Sequence, residues 1–331
     1  MTATVYVSCP VQDTTNSFFI VAEKIKYCIK NEYRLVDEPS QDVDIHIHVG
    51  TPERSQESIY QRTAKKFVFY SFAESTKIPA RWSDHFNKAD EIWVPSNFVK
   101  ESFTNSAVTV PIHVIQLGIA DNGGLIPASE GNEYTILWQG NNLRAYDAGR
   151  EVDGDRKGGR VVEEAFVKAN IPNSRLILKY IPTTGVEYEF KVDPIWYICK
   201  RMSPEEIGQI DKMIDLFVWP TRGEGFGLVP LEKLSRGIPS ICTYWSGPLE
   251  YLDDFDLPRL YPTRLGKVIY NEEECEMAEF DVNYLGDKLT ECYERRGEFK
   301  SKRAEFSSNA ETWGFENRMK SKLLDRISNI V

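Results

Sequence analysis

Two carboxylates eight positions apart, Glu224 and Glu232, stand in the run W-P-T-R-G-E-G-F-G-L-V-P-L-E-K-L-S-R-G from Trp219 to Gly237. A buried strand runs there into a glycine loop that opens a helix closed by Gly237 and Pro239. Gly225 and Gly227, on either side of Phe226, let backbone N–H groups approach a ligand closely. The free N–H groups from Leu228 onward, with the helix dipole, favour phosphate oxygens. A carboxylate takes paired hydrogen bonds from a vicinal diol, so one Glu suits a sugar ring and the other a ribose. Taken alone, the segment reads equally well as a helix start with solvated acids. A cationic pair, Arg156-Lys157, lies upstream in E-V-D-G-D-R-K-G-G, where in isolation a solvated charged turn is the plainer reading.

The elements that must position these groups alternate along the chain. Strand patterns at 4–8, 43–49 (V-D-I-H-I-H-V), 67–72, 91–94 and 112–116 are separated by helical patterns at 18–29, 84–88 and, behind a Ser96 cap, 96–103. A second alternation follows: strands at 134–138, 175–180, 216–219 and 240–243, with helices at 161–169, 203–213 and 228–235. Alternation of this kind implies two mostly parallel sheets, hence an α/β chain of two Rossmann-like units. The Gly/Asn/Pro-rich stretch 119–133 reads as the linker. The expected domains are therefore 1–118, 134–311 and a C-terminal helix over 312–331, with packing back on the N-terminal domain as the option considered although periodicity does not name its partner surface.

With 331 residues, 41% of them hydrophobic, the chain can fill two cores of ordinary size. Its formal net charge of -10 makes the surface as a whole repel nucleic acid and anionic lipid. Six scattered cysteines without a C-x-x-C pair suggest reduced thiols in a cytoplasmic protein, and no window is apolar enough to span a bilayer. The Asp42-Val-Asp44 and Asp153-Gly-Asp155 pairs look accidental at this acid content, so no metal site and no cofactor is expected.

Context sharpens the reading. The Glu224/Glu232 segment resembles the Glu-x7-Glu signature of retaining glycosyltransferase family 4. Phe69-Tyr-Ser-Phe-Ala-Glu74 through Trp82, Asn87-Lys-Ala-Asp-Glu-Ile-Trp93-Val-Pro-Ser96-Asn-Phe, Ile115-Gln-Leu-Gly118, Arg156-Lys-Gly-Gly159 and Ser240 through Tyr251 are similar to that family's other runs, in the same order. The resemblance implies the GT-B fold, two facing Rossmann-like domains with an interdomain cleft. It further implies that Glu232 binds the ribose and that Glu224, with the backbone of Gly225, Phe226, Gly227 and Leu228, holds the donor sugar. Arg156 and Lys157 would hold the diphosphate, with no bound metal required. His48, at the end of a strand, is a candidate sugar contact, against simple packing with His46. Glu74 is a candidate for facing the cleft, against a surface acid in a loop. The family's glycine-rich loop after the first strand is absent, since Cys9-Pro-Val-Gln stands there, which leaves acceptor placement open.

The implied activity is retaining transfer of a sugar from a nucleoside diphosphate sugar to a hydroxyl acceptor. Alternatives are a GT-B sugar-nucleotide epimerase or hydrolase, and a silent nucleotide-sugar binding module. The acceptor by default is a glycan, a protein or a small molecule. Residues 1–118 carry 12 basic and 14 acidic side chains, which supports neither a lipid-linked acceptor nor modified DNA.

Overall fold

The computed structural model describes residues 3–11, 16–52, 64–120, 124–141, 155–182, 186–270 and 273–331. The chain divides into two compact units, Met1–Ala120 with Asn271–Cys275 and Trp313–Val331, and Asp121–Tyr270 with Glu276–Thr312.

In the first unit, β1 (Thr4–Ser8), α1 (Ser17–Ile29), β2 (Arg34–Val36), β3 (Val43–Val49), β4 (Ala64–Tyr70), α2 (Ala80–Phe86), β5 (Glu91–Val94), α3 (Asn97–Thr104) and β6 (Ile112–Val114) follow in turn. The sheet order is β2-β1-β3-β4-β5-β6, with every neighbouring pair parallel. Side chains from Val5, Ile45, Ile47 and Val68 are fully buried. Covered on both faces, β3 buries even its histidines, so the polar half of V-D-I-H-I-H-V does not mark a wet side. Asn16 and Ser96 accept hydrogen bonds from the first turns of α1 and α3 and set where those helices begin.

The second unit runs β7 (Tyr134–Asn141), α4 (Gly159–Ala169), β8 (Ser174–Ile181), β9 (Tyr188–Val192), β10 (Ile195–Cys199), α5 (Pro204–Asp211), β11 (Leu216–Trp219), α6 (Leu228–Ser235) and β12 (Ser240–Cys242). Next come β13 (Arg264–Tyr270), β14 (Glu273–Glu279), whose first three residues fall in the first unit, α7 (Val282–Glu294), α8 (Arg296–Ser301) and α9 (Arg303–Glu311), while α10 (Ser321–Ile330) belongs to the first unit. The six-stranded sheet has the order β12-β11-β7-β8-β10-β9, parallel except for β9 at its edge. Apart from β9 this is the doubly wound order of a dinucleotide-binding half, and its reversal lies between β7 and β11. In such sheets ligands bind beyond the carboxyl ends of the strands at that reversal.

Three local findings differ from the sequence reading. Residues 124–133, read as linker, pack within the second unit, where the Ile126 amide donates to the Arg236 carbonyl at 3.2 Å. The β9–β10 hairpin was not anticipated, although Tyr188, Phe190 and Val192 alternate with polar residues as an edge strand should. Helix α2 starts at Ala80, directly after Pro79, rather than at Asp84.

Candidate functional site

At the β7/β11 reversal two strands hand over to two helices in the same way. Gly158 before α4 and Gly227 before α6 both take left-handed backbone conformations, at φ 75° and 85°. A Cβ on Gly158 would lie 2.3 Å from the Pro220 carbonyl oxygen, so only glycine fits that approach. The two helix starts differ in one respect. The Asp155 carboxylate accepts from the Arg160 and Val161 amides at 2.8 and 3.3 Å and so caps α4. Among the described residues no side chain caps α6, an arrangement that suits an anion at its first-turn N–H groups. Burial pushes the Asp155 carboxyl up to about 6 despite those backbone bonds.

Between the two starts lies Glu224, only 8% exposed. Its Oε1 accepts from Arg156 Nη1 at 3.0 Å, from Thr221 Oγ1 at 3.0 Å and from Lys157 Nζ. Arg156 Nη1 also donates to the Gly223 carbonyl at 2.8 Å. The Lys157 ammonium stands 4.4 Å from the centre of the Trp219 ring. Trp138 and Trp219 clamp the floor: the first donates to the Lys157 carbonyl and the second to the Gln139 carbonyl, each at 2.8 Å. Burial raises the Glu224 pKa, but the charges of Lys157 and Arg156, with the bonds from Lys157 and Thr221, outweigh it and hold the carboxyl below its ordinary value.

The glycine loop is fixed from behind by residues 246–251. Ser246 accepts from the Glu224 amide at 3.2 Å, and the Gly247 amide donates to the Glu224 carbonyl at 2.9 Å. Ser246 sits at φ 62°, a conformation that costs a side-chain-bearing residue about 1–3 kcal/mol. Strain of that size at a loop support is a mark of functional sites. Tyr251 donates to the Gly227 carbonyl at 2.6 Å and feels the charges of both Glu224 and Glu232. Phe226 is buried with its ring 5.8 Å from that of Tyr251, so only its backbone is left for a ligand. Leu228 and Glu232, one turn apart on α6, are both half-buried.

Thus Arg156, Lys157, Glu224 and the 225–228 loop come together, with Glu232 on the helix they open. Thr221 and Trp138 were not singled out by sequence, while Trp219 and Ser246 lie in the quoted runs without an assigned role. Thr221 precedes Glu224 by three positions in a loop, where no periodicity draws attention to it. Asp153 lies outside the described residues. Asp44 of the other Asp-x-Asp pair accepts from the Thr4 amide at 2.8 Å and from Lys65 at 2.7 Å, a structural role.

In the first unit, Ser8 Oγ lies 2.7 Å from His46 Nε2 and 2.8 Å from His48 Nδ1. His48 is fully buried, its ring edge-on to Phe69. Burial holds His46 at about 3, helped by His48, and His48 at about 4, so both rings are neutral at pH 7. Glu74 is half-buried in the loop after β4.

Residues 196–264 match the family described as glycosyl transferases group 1. No curated protein sequence matches the chain. Among solved structures, sucrose-phosphate synthase from Thermosynechococcus elongatus superposes with a TM-score of 0.70 at 10% identity, covering 100% of this chain and 99% of that one. HepE from Anabaena, in complex with UDP-glucose, gives 0.69 at 11% identity over 99% and 100% of the two chains. The pneumococcal O-GlcNAc transferase GtfA, in complex with UDP and GlcNAc, gives 0.61 at 13% identity over 93% of this chain and 60% of that one. With two parallel α/β units, the second wound as a nucleotide-binding half, the chain has the GT-B fold of glycosyltransferases.

Proposed function

We propose that the chain transfers a sugar from a nucleoside diphosphate sugar to a hydroxyl acceptor with retention of anomeric configuration. The observation that carries this reading is the buried Glu224 carboxylate, held charged by Arg156 and Lys157 beside the uncapped start of α6. UDP donors come first, because the HepE structure holds UDP-glucose and the GtfA structure holds UDP with GlcNAc.

A guanidinium carries five N–H donors and an ammonium three, so the two cations beside Glu224 are of a kind that suits a diphosphate. As the glycosidic bond breaks, the departing diphosphate gains negative charge, and a fixed guanidinium, an ammonium and the α6 N–H groups stabilise it more in the transition state than in the ground state. Glu224 accepts hydrogen bonds from sugar hydroxyls and opposes the positive charge that develops on the ring. The acceptor attacks on the face the diphosphate leaves, and a departing phosphate oxygen takes its proton. Glu232, on the face of α6 shared with Leu228, accepts the ribose hydroxyls. Since the cations are the protein's own, transfer is proposed to need no metal. The acceptor is a glycan, a protein or a small molecule.

Thermal-shift titration with UDP-, GDP-, ADP- and TDP-sugars tests the donor, since a ligand at 100 times its Kd stabilises by about 2.7 kcal/mol. Proton NMR of the product tests retention, and turnover in EDTA tests metal independence. No shift with any donor would overturn the proposal. An inverted product would remove retention alone.

A further inference from the structure

The second unit carries a cavity of about 440 Å³ at the amino ends of its strands, beside Tyr134, Asn173, Asp215 and Pro239. The groups assigned above to the donor sit at the carboxyl ends, so this is a different place on the sheet. Arg296, Lys300 and Arg303 line it. Each hydrogen-bonds to neutral carbonyls: Arg296 to Tyr293 at 2.7 Å, Lys300 to Ser129 at 3.3 Å, and Arg303 to Ile126 and Pro127 at 3.3 and 3.4 Å. Of the two lining carboxylates, Glu133 is paired with Arg175 at 2.9 Å, and Asp215 accepts from the Thr135 amide at 2.9 Å. Asp215 influences Arg303 and Lys300 through space without forming an ion pair with either.

Two buried polar atoms here have no partner. Arg303 is 6% exposed with Nε unsatisfied, and Tyr134 is 5% exposed with its hydroxyl unsatisfied. Buried donors normally have acceptors, and a guanidinium stripped of water is costly when its nearest carboxylate, Asp215, acts only through space. Nothing in the donor site explains why this cost is borne. A phosphate monoester, with several acceptor oxygens, matches the three cations that line the cavity. The side chains of Asn173 and Ser129 and the Tyr134–Tyr293 ring pair, with centroids 5.3 Å apart, suit the hydroxyls and the C–H face of a small polyol. The volume lies within the range of small-molecule sites.

We infer that this cavity binds a small phosphorylated polyol, of sugar-phosphate size, separately from the donor. Arg303 packs against Gly237, just beyond the end of α6, so an occupant would touch a residue that abuts the end of the helix carrying Glu232.

Isothermal titration of the full chain with glucose 6-phosphate, glycerol 3-phosphate and inorganic phosphate tests the inference. At least one of the two esters should bind at sub-millimolar concentration and about tenfold or more tighter than inorganic phosphate. Arg296→Gln and Lys300→Gln, at surface-facing cations, should each weaken that binding by about tenfold while the donor-induced thermal shift is unchanged. Arg303→Met should abolish it. Failure of both esters to bind at millimolar concentration, affinity no better than that of inorganic phosphate, or binding indifferent to Arg296→Gln and Lys300→Gln would overturn it.

Discussion

Glu224 in the second unit and His48 in the first are both buried titratable side chains at the ends of parallel sheets, yet they meet opposite fates. Glu224 keeps its charge, because Lys157 and Arg156 supply more stabilisation than desolvation removes. His48 loses its charge because burial disfavours the imidazolium, where it sits beside the Ser8 hydroxyl, His46 and Phe69. Burial therefore neutralises His48 but not Glu224, where nearby charges outweigh it. The first arrangement stores a fixed charge that can act on a substrate. The second is a neutral network in which Ser8 can donate to one imidazole and accept from the other.

The largest test of this contrast is Glu224→Ala. Sugar transfer is expected to fall by about two to three orders of magnitude, the scale of losing one preorganised electrostatic group, while UDP binding survives. Single-turnover assays with calorimetric UDP titration check it. Equal turnover of the variant and the parent would remove Glu224 from the mechanism.

Next in size is the cost of unbalancing the pair. Lys157→Ala leaves Glu224 with one cation, and breaking a buried pair costs about 3–5 kcal/mol. Urea unfolding should show most of that, and the loss should shrink in Lys157→Ala/Glu224→Gln. A simple sum of the two single effects would mean that the residues are not coupled.

The histidine network answers to pH. His48 is held at about 4 against an ordinary 6.5, so the unfolded chain binds more protons between those values. Its contribution is complete above about pH 6.5 and is lost as pH falls toward 4, about 3 kcal/mol in all. Glu224 behaves in the usual carboxylate sense: its share persists down to its unfolded value and is lost only as pH falls further, through its lowered folded pKa. Stability measured between pH 7 and 5 should therefore decline in the parent and less in His48→Phe. A parallel decline in both would show that the imidazole is not the sensor.

A smaller effect is expected from Gly247→Ala, whose Cβ would lie 2.4 Å from the Gly225 carbonyl carbon. The donor loop must shift, at about 1–3 kcal/mol, and the Michaelis constant for the donor should rise more than kcat falls. The smallest is Glu232→Ala, expected to weaken nucleotide binding by about tenfold, a loss of roughly 1.4 kcal/mol, with folding intact. Unchanged UDP affinity would take the ribose away from Glu232.

Much of the second unit could be read in advance, because its elements obey local rules. Ser203 and Glu206 form a capping box, and the glycines of the donor loop sit where a strand turns into a helix. The hairpin of β9 and β10 was missed because attention to buried runs passes over an edge strand whose five residues are all exposed. Helices α8 and α9 were missed because the first has only six residues and the second carries almost no periodic apolar face, whereas the Asp281 cap of α7 was a local signal passed over.

The amino-acid sequence by itself determined the α/β alternation, the glycine turns and the pairing of Glu224 and Glu232 on one loop-helix segment, since these depend on residues a few positions apart. Tertiary structure alone decided that Arg156 and Lys157, 67 or 68 positions before Glu224, share its oxygen. It also decided that Ser246 and Tyr251 brace the loop from behind, and that His46 and His48 close on Ser8. The reason is physical: periodicity and turn chemistry encode a residue's own conformation, whereas the charge state of a buried group depends on which distant side chains the folded sheets bring within hydrogen-bonding distance.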